Sequence, residues 1–210
     1  MERSRFDPEL DRIFSVGDLI DRGPDSPEAL GWLSEPWFHA VRGNHEQMLI
    51  DCVSGTGDVA RHTRNGGAWL YQQTTRVQHE FCKALQELPL IIEVDLLDGR
   101  KIGIVHAEAP LADTDDDWQK VKDVLSGHFG EDRRQQALKT ALYARGKIEQ
   151  QNNEPIRGIS QLYVGHSTVS NVTRLGNVVY TDTGCSFHDG ALSLIELNAE
   201  TITQIPMSQE

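Results

Sequence analysis

Four side chains that could hold a metal ion each follow a short apolar run of the sequence. Asp18, Asn44, His106 and His166 all come shortly after stretches that we predict to be strands. Groups that follow strands can meet at one edge of a sheet although they are far apart in sequence, so we expect these four to converge. Two imidazoles, a carboxylate and an amide oxygen form a mixed nitrogen and oxygen set, which suits Mn, Fe or Zn better than Ca or Mg.

Each of these residues also has a structural alternative. A single histidine after a strand is more often hydrogen-bonded than metal-bound, and a lone aspartate in a Gly-Asp loop is usually a turn former. Arg22 beside Asp21 could be an ordinary surface ion pair. The strings GDLIDRG at residues 17–23 and RGNHE at residues 42–46 argue against all of these alternatives at once. Their glycines permit sharp turns and close backbone approach, and polar residues crowd where a core strand would have none.

The elements that must position these groups are short strands with helices between them. Predicted helices cluster in the first half and the middle of the chain, and three further β runs close it. This mixture predicts an α/β (α+β) architecture in which two packed mixed β-sheets are flanked by helices. The strands predicted before the four groups are residues 12–16, 38–41, 101–105 and 162–164.

Several loops carry finer predictions. Asp98-Gly99 suits a two-residue type I′ hairpin turn, and Ser26 is typical of a helix N-cap. Residues 54–67 are rich in Gly, Thr and polar side chains, which predicts a long surface loop that either borders a substrate groove or is simply mobile. The acidic connector at residues 113–117 is predicted to be a solvated loop rather than a calcium site.

The length of 210 residues predicts a single globular domain over residues 1–210. A net charge of −12 argues against a nucleic-acid or anionic-membrane partner, although bound divalent cations would reverse the field locally for an anionic substrate. No apolar run reaches membrane-span length, and no secretory signal is visible. The three cysteines form no CxxC pattern, which indicates free thiols in a reducing compartment. The expected location is the cytoplasm.

The sequence resembles a known family through its motifs and their order. The strings at residues 17–23 and 42–46, with VHAE at residues 105–108 and GHS at residues 165–167, resemble the motifs of calcineurin-like metallophosphoesterases. Within that superfamily they most resemble the phage-lambda-type and bacterial Ser/Thr protein phosphatases. Further support for this branch comes from Asn65-Gly66-Gly67, Trp69 and Asp182-Thr183-Gly184.

The resemblance implies a role for each motif residue. It implies that Asp18 bridges two metal ions and that Asn44, His106 and His166 complete the shell of the second ion. It implies that His45 is the general acid, oriented by Asp21. The predicted phosphate-binding residues are Arg22 and Arg145, with Arg42 as a weaker candidate.

The implied reaction is hydrolysis of phosphoserine and phosphothreonine in proteins, with possible tolerance of phosphotyrosine. Metal-bound hydroxide would attack the phosphoryl group directly, with manganese as the expected metal and iron or zinc as alternatives. The expected partner is therefore a phosphoprotein or phosphopeptide. Dinucleoside-tetraphosphate hydrolysis is an alternative function, and an inactive phosphatase-like binding protein is another.

One family motif has no counterpart in the 210 residues. The family places Gly-Asp-x-His-Gly before the first string, and its Asp and His hold the first metal ion, whereas residues 1–16 contain no histidine. We therefore expect the family's first strand and helix to be missing and one complete metal site to remain, with weak activity at best. Met1 is then either an internal methionine of a longer protein or the start of a naturally short chain.

Overall fold

Residues 6–111 and 117–207 are described in the computed structural model, and they fall into two units. Contacts between Cα atoms separate a first unit, Phe6–Pro89, from a second unit that begins at Leu90. A single domain over residues 1–210 is not tested by this division and stays a prediction. No helix in the described part of the chain is both long and apolar enough to cross a membrane.

The first unit contains a two-stranded parallel sheet and four α-helices. Its elements are β1 (Ile13–Ser15), α1 (Ala29–Leu33), β2 (Phe38–Ala40), α2 (Asn44–Val53), α3 (Val59–Arg64) and α4 (Thr75–Gln86), with 3-10 helices at Ser26–Glu28 and Gly67–Gln72. Strands β1 and β2 pair with Phe14 opposite His39. Parallel neighbours need a crossover connection, and the first 3-10 helix and α1 supply it.

The core of the first unit fixes the position of α2. Leu49 of α2, Leu85 of α4 and Leu70 of the second 3-10 helix are fully buried in one apolar cluster. Burying a leucine stabilises the fold by about 1.5–3 kcal/mol. The first turn of α2, which carries Asn44 and His45, is therefore anchored by the packing of the rest of its helix.

A five-stranded mixed sheet organises the second unit. Its elements are β3 (Ile91–Asp95), β4 (Lys101–Val105), α5 (Trp118–Leu125), α6 (Glu131–Tyr143), α7 (Gly146–Glu149), β5 (Gln161–Val164), β6 (Thr173–Leu175), β7 (Val178–Tyr180), β8 (Ala191–Ile195) and β9 (Ile202–Pro206). The strand order is β3-β4-β5-β7-β6, with β4, β5 and β7 parallel and both edge strands antiparallel. Strands β8 and β9 form a separate antiparallel hairpin.

Helices α5 and α6 cover this sheet. Trp118 and Val121 of α5 and Ala141 of α6 share a buried cluster with Val105 and Leu162 of the strands. All four residues of β5 are buried, as expected for a central parallel strand covered on both faces. The predicted α/β class is thus confirmed, with a five-stranded mixed sheet flanked by helices.

A charged cluster supports the edge of the sheet. Glu93 of β3 accepts hydrogen bonds from Lys101 Nζ at 2.6 Å, Lys122 Nζ at 2.9 Å and the indole of Trp118. Burial raises the pKa of Glu93, but these three hydrogen bonds outweigh it and lower that pKa to about 2. The cluster ties β3 and β4 to the start of α5.

The predictions for residues 54–67 and for the Asp98-Gly99 turn are wrong. Residues 54–67 contain α3, because the Asp58 side chain accepts from Arg61 N at 3.0 Å and so caps a short helix. The Asp98-Gly99 hairpin exists, but Leu96 N donates to Arg100 O, which leaves a three-residue loop with Gly99 at φ +87° instead of a type I′ turn. In the acidic connector, Asp113, Asp115 and Asp116 lie outside the described residues, and Asp117 caps α5 by accepting from Lys120 N.

Candidate active site

The loop after β1 has an unusual backbone. Gly17, Asp18, Asp21 and Arg22 all have positive φ, at 92°, 57°, 71° and 59°. A left-handed conformation costs a non-glycine residue roughly 1–2 kcal/mol, so surrounding contacts must hold these residues in place. Such concentrated backbone strain is typical of functional sites.

A buried carboxylate holds the first part of this loop. Glu46 in α2 is fully buried, and its Oε2 accepts from Asp18 N at 2.9 Å and Gly43 N at 2.7 Å. Its Oε1 accepts from Leu19 N at 2.7 Å. Since glycine has no side chain, Gly43 supplies only the backbone half of a capping box at the start of α2. Glu46 therefore joins the loop to the N-terminus of this helix.

Ser26 holds the second part of the loop. Its Oγ accepts from Asp21 N at 2.9 Å and donates to Gly23 O at 3.1 Å. Ser26 is the first residue of a 3-10 helix and not its N-cap, so the N-cap prediction is wrong. The Ser26 hydroxyl therefore connects two backbone positions of the loop, Asp21 and Gly23, and stabilises its folded conformation.

The Asp18 carboxylate meets the N-terminus of α2. Asp18 Oδ1 accepts from His45 N at 3.1 Å, where the helix dipole favours a negative charge. A Cβ at position 43 would lie 2.3 Å from this oxygen, so only glycine permits the approach. Asn44 is the first residue of the same helix and is buried. Two of the predicted ligands thus come from a loop and a helix end that are held together.

His45 and Asp21 form a buried pair. His45 Nδ1 lies 2.7 Å from Asp21 Oδ2, and the two side chains are 4 % and 0 % exposed. Burial lowers the pKa of His45, but the hydrogen bond to Asp21 and the charges of Asp18 and Asp21 outweigh it, so this pKa is raised. An imidazole held in this way on a carboxylate can present Nε2 as a proton donor.

Two further donors bind Asp21, and no motif in the sequence predicts either of them. His62 Nε2 lies 3.1 Å from Oδ2, and Trp69 Nε1 donates to Oδ1 at 2.8 Å. Burial raises the pKa of Asp21, but the hydrogen bonds from His45 and His62 outweigh it, so the pKa is below its usual range. His62 falls in the segment predicted to be a loop. Asp58 was the available signal for a helix in this segment, because aspartate is a preferred N-cap residue.

The predicted arginines of the first unit have different surroundings. Arg22 is exposed and lies 3.4 Å from Asn65 Oδ1 through its Nη2. Gly66 has φ +101°, and a Cβ there would lie 2.4 Å from Arg22 N. The Arg42 guanidinium instead donates to the carbonyls of Gln86 and Leu88 at the end of α4. These contacts give Arg42 a structural function, and its predicted binding of phosphate stays untested.

In the second unit, two histidines follow neighbouring parallel strands. His106 comes after β4 and His166 after β5, and their ring centroids are 5.1 Å apart. His166 Nε2 lies 3.3 Å from the carbonyl of Tyr143, which can only accept. In the neutral ring Nε2 therefore carries the proton, and Nδ1 is the nitrogen with the lone pair that a metal would take. The donor chemistry of this pair fits a divalent ion.

Arg145 lies beside His166. Its Nη2 donates to His166 O at 3.3 Å, and it lines an open cavity of about 230 Å³. Ser167 is 5 % exposed, and its Oγ has no hydrogen-bond partner among the described residues. The other residues that line the cavity are Ile148, Glu149 and Thr168.

Comparisons with known proteins agree with the motifs. The family model described as calcineurin-like phosphoesterase matches residues 2–169. Serine/threonine-protein phosphatase 2 of Salmonella typhimurium is 36 % identical over 195 residues, which cover 91 % of this chain and 82 % of that protein. The symmetrical bis(5'-nucleosyl)-tetraphosphatase of Thioalkalivibrio sulfidiphilus is 40 % identical over 63 residues, which cover 29 % of this chain and 23 % of that protein.

A solved structure shares the fold. It is a proposed diadenosine tetraphosphatase with a TM-score of 0.65 and 21 % identity, and the alignment covers 100 % of this chain and 86 % of that one. The predicted resemblance to metallophosphoesterases, a family that uses divalent metals, is therefore confirmed. The chain belongs to the calcineurin-like phosphoesterase family.

Proposed function

We propose that this chain hydrolyses phosphoserine and phosphothreonine monoesters of proteins, with tolerance of phosphotyrosine. The observation that carries the proposal is the buried His45–Asp21 pair, with His45 Nδ1 2.7 Å from Asp21 Oδ2. Such a pair is useful for protonating a poor leaving group, such as the alkoxide of serine. The Ser/Thr phosphatase of Salmonella typhimurium that matches most of the chain supports the same substrate class.

The proposed metal ligands are Asp18, Asn44, His106 and His166. The donor set of one carboxylate, one amide and two imidazoles supports Mn, with Fe or Zn as alternatives. A divalent ion held by these residues would activate water and neutralise charge on the phosphoryl group. The 210 residues carry one such ligand set, so we expect one tightly bound ion for each chain.

The proposed roles of the other residues follow from their chemistry. Arg22 and Arg145 bind phosphoryl oxygens, because a guanidinium matches them with two parallel hydrogen bonds. A water oxygen forms a bond to phosphorus while the bond from phosphorus to the seryl oxygen breaks. His45 Nε2 gives its proton to that seryl oxygen, and the proton lost by the water replaces it. Asp21 keeps the other face of the imidazole hydrogen-bonded throughout.

The test is phosphate release from a phosphoserine peptide by the 210-residue chain with added Mn²⁺. His45→Asn is expected to lower kcat by about 100-fold or more, since general acid catalysis contributes about 10²–10⁴-fold. His79→Asn, the same substitution at an exposed histidine of α4, is the control and is expected to leave kcat unchanged. A folded, metal-loaded chain that releases no phosphate would refute the proposal and leave the inactive binding protein.

Metal binding is tested separately by calorimetric titration with Mn²⁺. One tight site is expected, and Asp18→Asn and His106→Ala should each weaken it strongly. Two tight sites for each chain, or undiminished binding by these variants, would contradict the ligand assignment.

Dinucleoside-tetraphosphate hydrolysis is the second candidate. It is favoured by the match over 63 residues to the Thioalkalivibrio sulfidiphilus enzyme. The ratio of kcat/KM for a phosphoserine peptide to that for diadenosine tetraphosphate separates the two functions. A cytoplasmic location and the absence of nucleic-acid and membrane partners stay predictions.

A further inference from the structure

The buried side of the His45–Asp21 pair contains a second histidine. His62 lies in α3, is fully buried and has a partner at each ring nitrogen. Its Nε2 lies 3.1 Å from Asp21 Oδ2, and its Nδ1 lies 2.8 Å from the hydroxyl of Tyr71. An imidazole without partners is costly to bury, so this arrangement requires both hydrogen bonds.

The two ring nitrogens of His62 have different roles. An ionised carboxylate only accepts, so the nitrogen that faces Asp21 carries a proton. In the neutral ring, Nδ1 then accepts from the hydroxyl of Tyr71. Burial raises the pKa of Tyr71, as do a hydrogen bond with Cys52 and the nearby charge of Asp21, so its hydroxyl stays protonated and able to donate. With a neutral His62 ring, the order of donors is therefore Tyr71 to His62 to Asp21.

Close packing leaves His62 little freedom to turn. A Cβ at position 67 would lie 2.2 Å from His62 Nε2, so the backbone of Gly67 lies directly against the ring. The ring of Tyr71 meets His62 edge to face, with centroids 5.7 Å apart. The position of Nε2 is fixed by these neighbours, so its hydrogen bond can hold the Asp21 carboxylate in one orientation.

The Asp21 carboxylate needs a fixed donor to keep its orientation. Its backbone is left-handed, and its Oδ2 is shared between His45 at 2.7 Å and His62 at 3.1 Å. Trp69 holds only the other oxygen, Oδ1. If the donor of His62 were removed, the carboxylate could rotate about Cβ–Cγ, and the angle of the hydrogen bond to His45 would change.

We infer that His62, supported by Tyr71, is a positioning residue that orients Asp21 and through it the general acid His45. The inference rests on the proposed phosphatase function for its kinetic consequence, but its geometric part does not depend on catalysis. His62 is not proposed to touch substrate or metal.

The geometric part is tested by NMR of the metal-free chain labelled with ¹⁵N at histidine. The proton on His45 Nδ1 should give a downfield signal because it is bonded to a carboxylate. His62→Leu should shift or broaden this signal, whereas His62→Gln, whose amide nitrogen can replace Nε2, should largely restore it. His79→Gln is the matched control at an exposed site. An unchanged His45 signal in folded His62→Leu would overturn the inference whether or not the chain is a phosphatase.

The kinetic part compares two substrates that differ in their need for an acid. Phenyl phosphate has a poor leaving group and needs protonation, whereas 4-nitrophenyl phosphate needs it far less. His62→Leu should lower kcat by about 10-fold on phenyl phosphate, a fraction of the usual contribution of a general acid, with a much smaller loss on 4-nitrophenyl phosphate and no change in KM.

Tyr71→Phe should give the same pattern more weakly, and it serves as the second variant if His62→Leu does not fold. Equal losses on both substrates, or a change in KM alone, would overturn the positioning role. If His62→Leu changes the His45 signal but the parent chain has no activity, the proposed function is refuted. The positioning of Asp21 by His62 then still stands.

Discussion

The buried carboxylate of Glu46 offers a decisive test of how the loop after β1 is held. The substitution Glu46→Gln keeps the size and shape of the side chain but replaces one oxygen by an NH₂ group. In the native chain the two oxygens accept from three backbone donors, those of Asp18, Leu19 and Gly43. All three partners are donors, so the amide nitrogen must face at least one N–H group.

The expected cost follows from these contacts. A hydrogen bond to a charged acceptor contributes about 1.5–3 kcal/mol, a neutral one about half of that, and a buried donor left without an acceptor costs about 1–3 kcal/mol. In Glu46→Gln, two backbone N–H groups bond to a neutral oxygen instead of a charged one, and the third has no acceptor. Together these changes should lower the free energy of unfolding by about 3 kcal/mol. With a urea m-value of about 2 kcal/mol/M, the midpoint should fall by about 1.5 M.

The assay is urea unfolding of the metal-free chain by far-UV circular dichroism, combined with hydrogen exchange by mass spectrometry. Peptides that contain Asp18 and Leu19 should lose protection in Glu46→Gln, and peptides of the five-stranded sheet should keep it. Glu80→Gln, at an exposed position of α4, is the control and should change stability by less than about 0.5 kcal/mol. A loss below about 1 kcal/mol with unchanged exchange at Asp18 would refute this account, since it would show that Glu46 does not hold the loop.

Three more predictions concern other positions. Gly66→Ala should lower the free energy of unfolding by about 2 kcal/mol or more and raise KM for a phosphopeptide, because its Cβ would meet Arg22 N. Gly99→Ala, which also has positive φ but open space around it, should cost only about 1 kcal/mol, and equal losses in urea unfolding would contradict the steric explanation. Gly103→Ala should lower the free energy of unfolding by about 2 kcal/mol, because its Cβ would lie 2.4 Å from Ile159 and 2.8 Å from Trp118. An unchanged urea midpoint would show that α5 can move away. The pKa of Glu93 is lowered to about 2, so its ionised form stabilises the fold above its usual pKa and that stabilisation is lost as the pH falls towards 2. Glu93→Gln should therefore be less stable than the parent at pH 7, by only about 1 kcal/mol because solvent screens these ion pairs. The difference between the two urea midpoints should disappear near pH 2. A difference that does not depend on pH would contradict this explanation.

The sequence predicted those parts of the molecule that depend on local patterns. The apolar runs before Asp18, Asn44, His106 and His166 form strands, as predicted, and these are β1, β2, β4 and β5. The hairpin near Asp98 was also predicted, because its turn dipeptide is a strong local signal. These features depend on residues that are neighbours in the sequence, so local patterns of apolar and turn residues predict them.

The parts that were missed depend on contacts between distant residues. The contact of His62 with Asp21 spans 41 positions, and that of Trp69 with Asp21 spans 48. Glu46 could be recognised as a charged residue in a first helical turn, but its burial beneath the loop of Asp18 could not. The hydrogen bonds of Arg42 to the carbonyls of Gln86 and Leu88 could not be predicted either, and its predicted binding of phosphate stays untested.

The hydrogen bond from Trp69 to Asp21 gives the protein an optical reporter of its own. The indole donates directly to the carboxylate that binds His45, so its fluorescence should respond to whatever changes the charge or orientation of that carboxylate. The chain has three other tryptophans, Trp32, Trp37 and Trp118, and the indole of Trp118 donates to Glu93 instead of Asp21. Replacing these three by phenylalanine would isolate the emission of Trp69, and ligand binding could then be followed at the His45–Asp21 pair without any added label.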